Sequence, residues 1–179
     1  MIKDIKVLSR TRAELLCYGL ETPKNKWVLI SICSDKQEQL VRSDVVKNQL
    51  KKWGCLSWLS LTFDDITMEL YEKVKKVRPD VMANLFSKKD AKLIIDFIKK
   101  HKDSKKDLTL ITHCQAGVSR SGAVGWFACN FLGIDKTTFL QTNRTLFPNK
   151  YILQILESLS GINPTSKEEY EKHFKIIDF

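Results

Sequence analysis

Glycine and proline are scarce in this sequence, with seven and four residues in a chain of 179. No internal repeat or low-complexity segment divides the chain, so no linker between domains is indicated. No apolar run approaches the roughly 20 residues that a membrane-spanning helix requires. The first 16 residues carry charges of both signs and lack the apolar stretch of a secretory signal. We therefore expect one domain over residues 1–179, located in the cytoplasm and without a membrane span.

Metal-binding patterns are absent as well. The five cysteines are odd in number and widely spaced, and no Cys-x-x-Cys pair occurs among them. This spacing argues against a zinc site and against a disulfide framework. No metal and no cofactor is therefore predicted. Most of the thiols are expected to be small buried core residues, namely Cys17, Cys33, Cys55 and Cys129.

Acidic residues are outnumbered by basic ones, 21 to 30, which gives a net charge of +9. A positive field raises the local concentration of anions, so nucleic acid, acidic membranes and phosphorylated substrates are candidate ligands. The lysines lie in predicted helical stretches and do not alternate with aromatic residues as in a single-strand-binding groove. We favour a solvated, lysine-rich surface and expect no obligate nucleic-acid partner.

Short apolar runs rich in β-branched and aromatic residues predict buried strands. Three such runs cover residues 27–32, 56–63 and 108–112, and an earlier strand is expected at 5–8. Helical patterns follow these runs and continue to the end of the chain. They are expected after the capping residues Ser87, Asp135 and Ser166, over residues 118–132, and from Pro148 onward. This order predicts a single-domain α/β fold with a central, mostly parallel sheet flanked by helices.

The turn after the strand at 108–112 carries the most informative motif, His113-Cys114-Gln115-Ala116-Gly117-Val118-Ser119-Arg120-Ser121-Gly122. Backbone N–H groups in a strand-to-helix turn converge into a nest that binds a phosphate-sized anion and stabilises a thiolate. Cys114 is therefore the predicted nucleophile, and Ser121 can donate a hydrogen bond to its sulfur. The phosphate-binding set is predicted to be Gln115, Ala116, Gly117, Val118, Ser119 and Arg120.

Two residues of the motif have further expected roles. Gly117 gives the loop the conformational freedom to bend tightly. Arg120 presents a planar fork that can bind two phosphate oxygens at once. The alternative interpretation is a buried structural cysteine before an ordinary helix. The offsets of thiol, glycine, guanidinium and hydroxyl favour a phosphate site instead.

This segment, residues 113–122, resembles the signature loop of the protein tyrosine phosphatase superfamily, H-C-x-x-G-x-x-R-S/T. It is most similar to the dual-specificity branch, where A-G-x-S-R-S is typical. Downstream, residues 144–156 are similar to the dual-specificity segment R-x-x-x-P-N-x-x-F-x-x-Q-L. The resemblance covers about residues 55–157. It implies the cysteine-dependent phosphatase fold, a structural role for His113 and a bracing role for Asn149 beside the loop.

The resemblance also implies an Asp that protonates the leaving oxygen from a loop before the signature strand. Asp64 and Asp65 end the predicted strand 56–63, in an acid loop at about residues 62–67. Asp80 lies 34 residues before Cys114 and Asp65 lies 49 residues before it; the family's usual separation is nearer the shorter value. We favour Asp65, then Asp64, then Asp80, because strand-then-Asp is the family's local pattern.

The long spacing between Asp65 and Cys114 is explained by an insertion expected at about residues 67–85. Such an insertion would lie over the site and influence substrate choice. The expected function is hydrolysis of phosphotyrosine, extending to phosphoserine and phosphothreonine, in a phosphorylated protein substrate through a phosphocysteine intermediate. RNA 5′-phosphate or phosphoinositide is the alternative substrate, although the loop lacks the interior Lys of phosphoinositide-selective relatives. A phosphate-binding module with weak turnover is the non-enzymatic alternative.

Overall fold

Four parallel strands form the centre of the molecule. In the computed structural model, which describes residues 1–174, they are β1 (Ile2–Ser9), β2 (Lys26–Cys33), β3 (Cys55–Thr62) and β4 (Leu108–Cys114). Their order in the sheet is β1-β4-β2-β3, and each neighbouring pair is parallel. Every residue of β4 is buried, as expected for an interior strand covered on both faces. The predicted single-domain α/β fold with a central parallel sheet is confirmed.

Helices cover both faces of this sheet. In chain order they are α1 (Arg10–Cys17), α2 (Asp44–Lys52), α3 (Met68–Val77), α4 (Lys88–Lys102), α5 (Arg120–Leu132), α6 (Lys136–Thr142), α7 (Lys150–Ser160) and α8 (Lys167–His173), and a single 3₁₀ turn spans Lys36–Glu38. Alternate side chains of a strand point to opposite faces. Accordingly, Val28 and Ile30 pack into the core with α4, α5 and α7, whereas Trp27 and Leu29 pack with α1 and α2.

The predicted helix starts agree with the observed caps, with two differences. Ser87 and Asp90 form the reciprocal capping box at the start of α4, and Asp135 caps α6. The helix predicted from residue 118 begins at Arg120, because residues 115–119 form the loop after β4. The helix predicted from Pro148 begins at Lys150 and is capped by Asn149.

Strand register gathers the predicted site at the carboxyl edge of the sheet. Ser9 pairs with Cys114 across β1 and β4, and Ser31 pairs with His113 across β2 and β4. The carboxyl ends of parallel strands are where open α/β folds bind their ligands. Residues that directly follow β2 and β3 therefore lie at the same edge of the sheet as Cys114.

The segment predicted as an insertion contains α3 and an irregular stretch after it. None of the α3 residues is buried, although Thr67 caps the helix by accepting a hydrogen bond from the Leu70 backbone N–H. The predicted influence of this segment on substrate choice stays a prediction. Within residues 1–174, none of the helices combines the length and apolar character that crossing a bilayer requires.

Candidate active site

The loop between β4 and α5 bends sharply against the end of β1. Gly117 has a φ of 75°, and a Cβ atom at this position would lie 2.4 Å from the backbone N of Ser9. The same loop accepts a hydrogen bond at Gln115 O from the backbone N–H of Arg10, at 3.1 Å. Both the left-handed backbone and the close approach require glycine here.

Cys114 ends β4 and lies beneath this loop. The residue is 2% exposed, and its Sγ is 3.0 Å from Oγ of Ser121 in the first turn of α5. Thr112 Oγ1 donates to the carbonyl of Ser121 at 3.0 Å, which anchors that turn to β4. The positive end of the α5 dipole favours negative charge on the sulfur.

Arg120 is buried and held by the ends of two neighbouring strands. Its Nη1 donates to Oγ of Ser34, just after β2, and to the carbonyl of Phe63, just after β3, both at 2.9 Å. Its Nε makes no hydrogen bond to any of residues 1–174. A buried guanidinium with a free N–H suits an anion. Sequence reasoning missed Ser34, whose signal was its position directly after a buried strand.

Asp65 lies beside the signature loop and is 38% exposed. Its Oδ1 accepts hydrogen bonds from Ser119 Oγ at 2.7 Å and from Asn149 Nδ2 at 2.9 Å. Its Oδ2 lies 4.0 Å from Nε of Arg120. A carboxyl group in this position is next to the guanidinium and open to solvent on its outer side.

The other two candidate acids take part in local structure. Asp64 Oδ2 accepts from the backbone N–H of Asn84 at 2.8 Å, while the Asp64 N–H donates to the carbonyl of Asn84 at 2.8 Å. Asp80 pairs with Arg78 at 3.3 Å, and its side chain is 72% exposed. Of the three candidates, Asp65 is the one that the structure brings to the loop.

His113 supports the sheet beneath the loop. Its Nε2 lies 2.7 Å from Oγ of Ser31, and the ring is buried. Burial lowers the pKa of His113 to about 4, so the ring is neutral near pH 7. A neutral, buried imidazole that is hydrogen-bonded to a neighbouring strand fits the structural role expected for it.

Asn149 links three parts of the site. Its Oδ1 accepts from the backbone N–H groups of Tyr151 and Ile152, at 3.0 and 3.2 Å, and so caps α7. Its backbone N–H donates to the carbonyl of Ser119 at 3.2 Å. Its Nδ2 is thereby directed toward Asp65. The sequence predicted that Asn149 would contact the signature loop, but it did not predict the hydrogen bond from Asn149 to Asp65.

A groove with a volume of about 450 Å³ begins at Asp65 and Ser119 and extends along the start of α3. Sequence reasoning did not identify it. Its remaining lining residues are Thr67, Leu70, Phe147, Pro148, Asn149, Lys150 and Tyr170. Thr67 and Leu70 belong to the segment predicted as an insertion, so that segment borders the site.

The other cysteines are buried thiols in surroundings that disfavour ionisation. Burial raises the pKa of Cys17 to about 11 and those of Cys55 and Cys129 to about 12. Burial also raises the pKa of Cys33. None of these four matches the setting of a nucleophile. Among residues 1–174, no cluster of three or more His, Cys, Asp or Glu side chains is arranged to hold a metal ion.

No family model matches the chain, and no curated protein matches it in sequence. Its three-dimensional structure does match solved structures. The crystal structure of Tk-PTP in the active form superposes with a TM-score of 0.50 and 16% identity, covering 89% of this chain and 91% of that chain. The chain has the protein tyrosine phosphatase fold. The fold that the signature loop implied is thus confirmed.

Two further solved structures match at similar length. Human tyrosine phosphatase-like serine/threonine/tyrosine-interacting protein gives a TM-score of 0.49 at 12% identity, covering 86% of this chain and 85% of its own. PTPMT1 in complex with PI(5)P gives a TM-score of 0.49 at 10% identity, covering 89% and 91%.

Proposed function

We propose that the protein is a cysteine-dependent phosphatase that hydrolyses phosphotyrosine in proteins, and also phosphoserine and phosphothreonine, through a phosphocysteine intermediate. One observation carries the proposal. Cys114 Sγ lies 3.0 Å from Ser121 Oγ at the start of α5, in a loop flanked by the Arg120 guanidinium and the Asp65 carboxyl group. A nucleophile, an anion-binding group and a proton donor therefore meet at one edge of the sheet.

In the first step, the Cys114 thiolate attacks phosphorus. A sulfur–phosphorus bond forms, and the bond from phosphorus to the leaving oxygen breaks. Arg120 and the loop N–H groups bind the charge that develops on the phosphoryl oxygens. Asp65 gives its proton to the leaving oxygen, which departs as a neutral hydroxyl group.

In the second step, a water molecule attacks the phosphocysteine. Asp65, now a carboxylate, takes the proton from that water, and the sulfur–phosphorus bond breaks. The hydrogen bond from Ser121 stabilises the sulfur as it leaves as a thiolate. Inorganic phosphate is released, and the starting protonation states of Cys114 and Asp65 are restored.

The groove beside Asp65 favours substrates with an aromatic leaving group. A general acid must contact the leaving oxygen, so the rest of the substrate lies on the outer side of Asp65, where the groove begins. Leu70, Phe147 and Pro148 give that groove apolar walls suited to a phenol ring and its neighbouring residues.

Cysteines kept as buried thiols favour a reducing compartment, and we place the protein in the cytoplasm.

The test is turnover by the purified protein on phosphotyrosine and phosphothreonine peptides, with Cys114→Ser as the decisive variant. We expect Cys114→Ser to abolish turnover and to retain phosphate binding. The matched control is Cys129→Ser, which alters a buried thiol at the far end of α5 that donates to the Ile134 carbonyl. Turnover that persists in Cys114→Ser would exclude the mechanism.

Phosphoinositide vesicles and RNA with a 5′-phosphate form the other arms of that assay. Their preferred hydrolysis would move the substrate class away from proteins while leaving the chemistry in place. Binding of phosphopeptides without turnover by the parent protein would identify a phosphate-binding module instead. An intact set of Cys114, Arg120 and Ser121 favours the enzyme, because a binding module has no use for a nucleophile.

A further inference from the structure

The two oxygens of Asp65 have different surroundings. Oδ1 accepts hydrogen bonds from Ser119 and from Asn149, whereas Oδ2 lies 4.0 Å from Nε of Arg120. Arg120 is the residue that binds the phosphoryl group in the proposed function. The leaving oxygen is attached to that phosphoryl group, so Oδ2 is the oxygen on the side where a proton is needed.

The bond from Asn149 determines which oxygen of Asp65 can be protonated. The amide orientation of Asn149 is fixed, because its Oδ1 accepts from the backbone N–H groups of Tyr151 and Ile152. The group facing Asp65 is therefore the NH₂, which can only donate. An oxygen that accepts from this NH₂ and from a hydroxyl has the character of a carbonyl or carboxylate oxygen, and the proton of the acid form is left to Oδ2.

We propose that Ser119 and Asn149 are positioning residues that hold Oδ1 of Asp65 and thereby present Oδ2 as the proton-donating oxygen. The inference rests on the proposed function of Asp65 as general acid. Ser119 lies inside the signature loop, so its bond to Asp65 also couples the acid to the loop that binds phosphate. Correct placement matters because proton transfer depends steeply on geometry.

The variants Ser119→Ala and Asn149→Ser remove one donor each. Asn149→Ser retains a side-chain oxygen that can cap α7, so its effect reports on the lost NH₂ rather than on a lost cap. Ser119→Thr retains the hydroxyl and is the rescue control. Thermal unfolding of all variants verifies that each is folded before its kinetics are compared.

The first readout is the dependence of kcat/KM on the leaving group, using aryl phosphates of high and low leaving-group pKa. This constant reports the steps up to departure of the leaving oxygen and excludes the second step, in which Asp65 acts as a base for every substrate. We expect Ser119→Ala and Asn149→Ser each to lower kcat/KM by up to about tenfold for the poor leaving group, the size associated with the loss of one hydrogen bond. With the good leaving group the loss should be small, because little proton donation is needed. Inhibition by inorganic phosphate should be unchanged in Asn149→Ser, and Ser119→Thr should retain the rate that Ser119→Ala loses.

The second readout is a double-mutant cycle with Asp65→Asn. If Ser119 and Asn149 act through Asp65, adding Ser119→Ala or Asn149→Ser to Asp65→Asn should change kcat/KM little. Equal losses of kcat/KM for both leaving groups, weaker inhibition of Asn149→Ser by phosphate, or additive losses in the cycle would each overturn the proposal. These outcomes are distinct from failure of the proposed function. Turnover by the parent protein and its loss in Cys114→Ser decide the role of the nucleophile, and Asp65→Asn alone, which should lower kcat/KM for the poor leaving group, decides the role of the acid.

Discussion

Ser34 Oγ accepts a hydrogen bond from Nη1 of Arg120 at 2.9 Å. This contact joins the end of β2 to the start of α5 and, together with the carbonyl of Phe63, holds the guanidinium at the mouth of the loop. In a buried setting such bonds fix the plane of the guanidinium, and with it the directions of its remaining N–H donors. Ser34 therefore holds Arg120 in place without being part of the loop.

The first prediction concerns this contact. Ser34→Ala should weaken inhibition by inorganic phosphate and lower kcat/KM several-fold, because Arg120 loses one of its two anchors. Competitive inhibition and steady-state kinetics measure both effects. Ser60→Ala in β3 is the matched control, because the buried Ser60 hydroxyl has no hydrogen-bond partner among residues 1–174. Equal effects of the two variants would show that the Ser34 bond has no such role.

The second prediction concerns the bend at Gly117. Gly117→Ala should abolish turnover and destabilise the protein, since the added Cβ would lie 2.4 Å from Ser9 N and 2.7 Å from Leu8 O. Gly133→Ala is the matched control, because Gly133 also has a positive φ, 66°. A Cβ added there would meet no atom of residues 1–174 within 4 Å apart from those of its chain neighbours. Gly133→Ala therefore adds backbone strain without a steric clash. It should lower the free energy of unfolding by about 1–2 kcal/mol and leave turnover intact. Denaturant unfolding and kinetics report the two effects.

The fold was accessible from the sequence because its signals are local. The apolar runs at 27–32 and 108–112 mark β2 and β4, and the cap at Ser87 marks the start of α4. The signature loop was accessible for the same reason, since its reacting groups lie within eight residues of one another. Local patterns of this kind need no knowledge of which segments meet.

The surroundings of the loop were less accessible, because long-range contacts determine them. Asp64 and Asp65 are neighbours in sequence, yet one closes a turn with Asn84 and the other meets Ser119, 54 residues away. The bond between Asn149 and Asp65 spans 84 residues, and that between Arg120 and Ser34 spans 86. Nothing in the spacing of these residues indicates such contacts, and the backbone path after β3 decides which carboxyl group faces the loop.

The third prediction follows from the buried imidazole of His113. Its pKa in the folded state is lowered to about 4, against an ordinary value of 6.5, so the unfolded chain binds the proton more readily. The neutral ring's contribution to the free energy of unfolding is fully present above pH 6.5 and is lost as the pH falls to about 4. The loss attributable to this group is about 3 kcal/mol at most.

Denaturant unfolding between pH 7 and pH 4 tests this expectation. His113→Asn removes the titrating group and should flatten the pH dependence of the free energy of unfolding across that interval, although it lowers stability at pH 7. An identical slope in the parent and the variant would show that other groups cause the acid destabilisation.

The fourth prediction concerns the groove beside Asp65 and the helix that borders it. Leu70 lines the groove from α3 and is 50% exposed, so Leu70→Ser removes apolar surface available to a bound substrate rather than core packing. We expect it to raise KM several-fold for phosphotyrosine peptides and to leave kcat and KM for a small aryl phosphate unchanged, because a small substrate does not reach along the groove. Val77→Ser is the matched control, since Val77 ends the same helix, is 80% exposed and does not line the groove. If both variants raise KM for peptides equally, α3 affects binding through its position as a whole and not through the groove. If neither variant raises KM, the segment at 67–85 has no part in substrate choice.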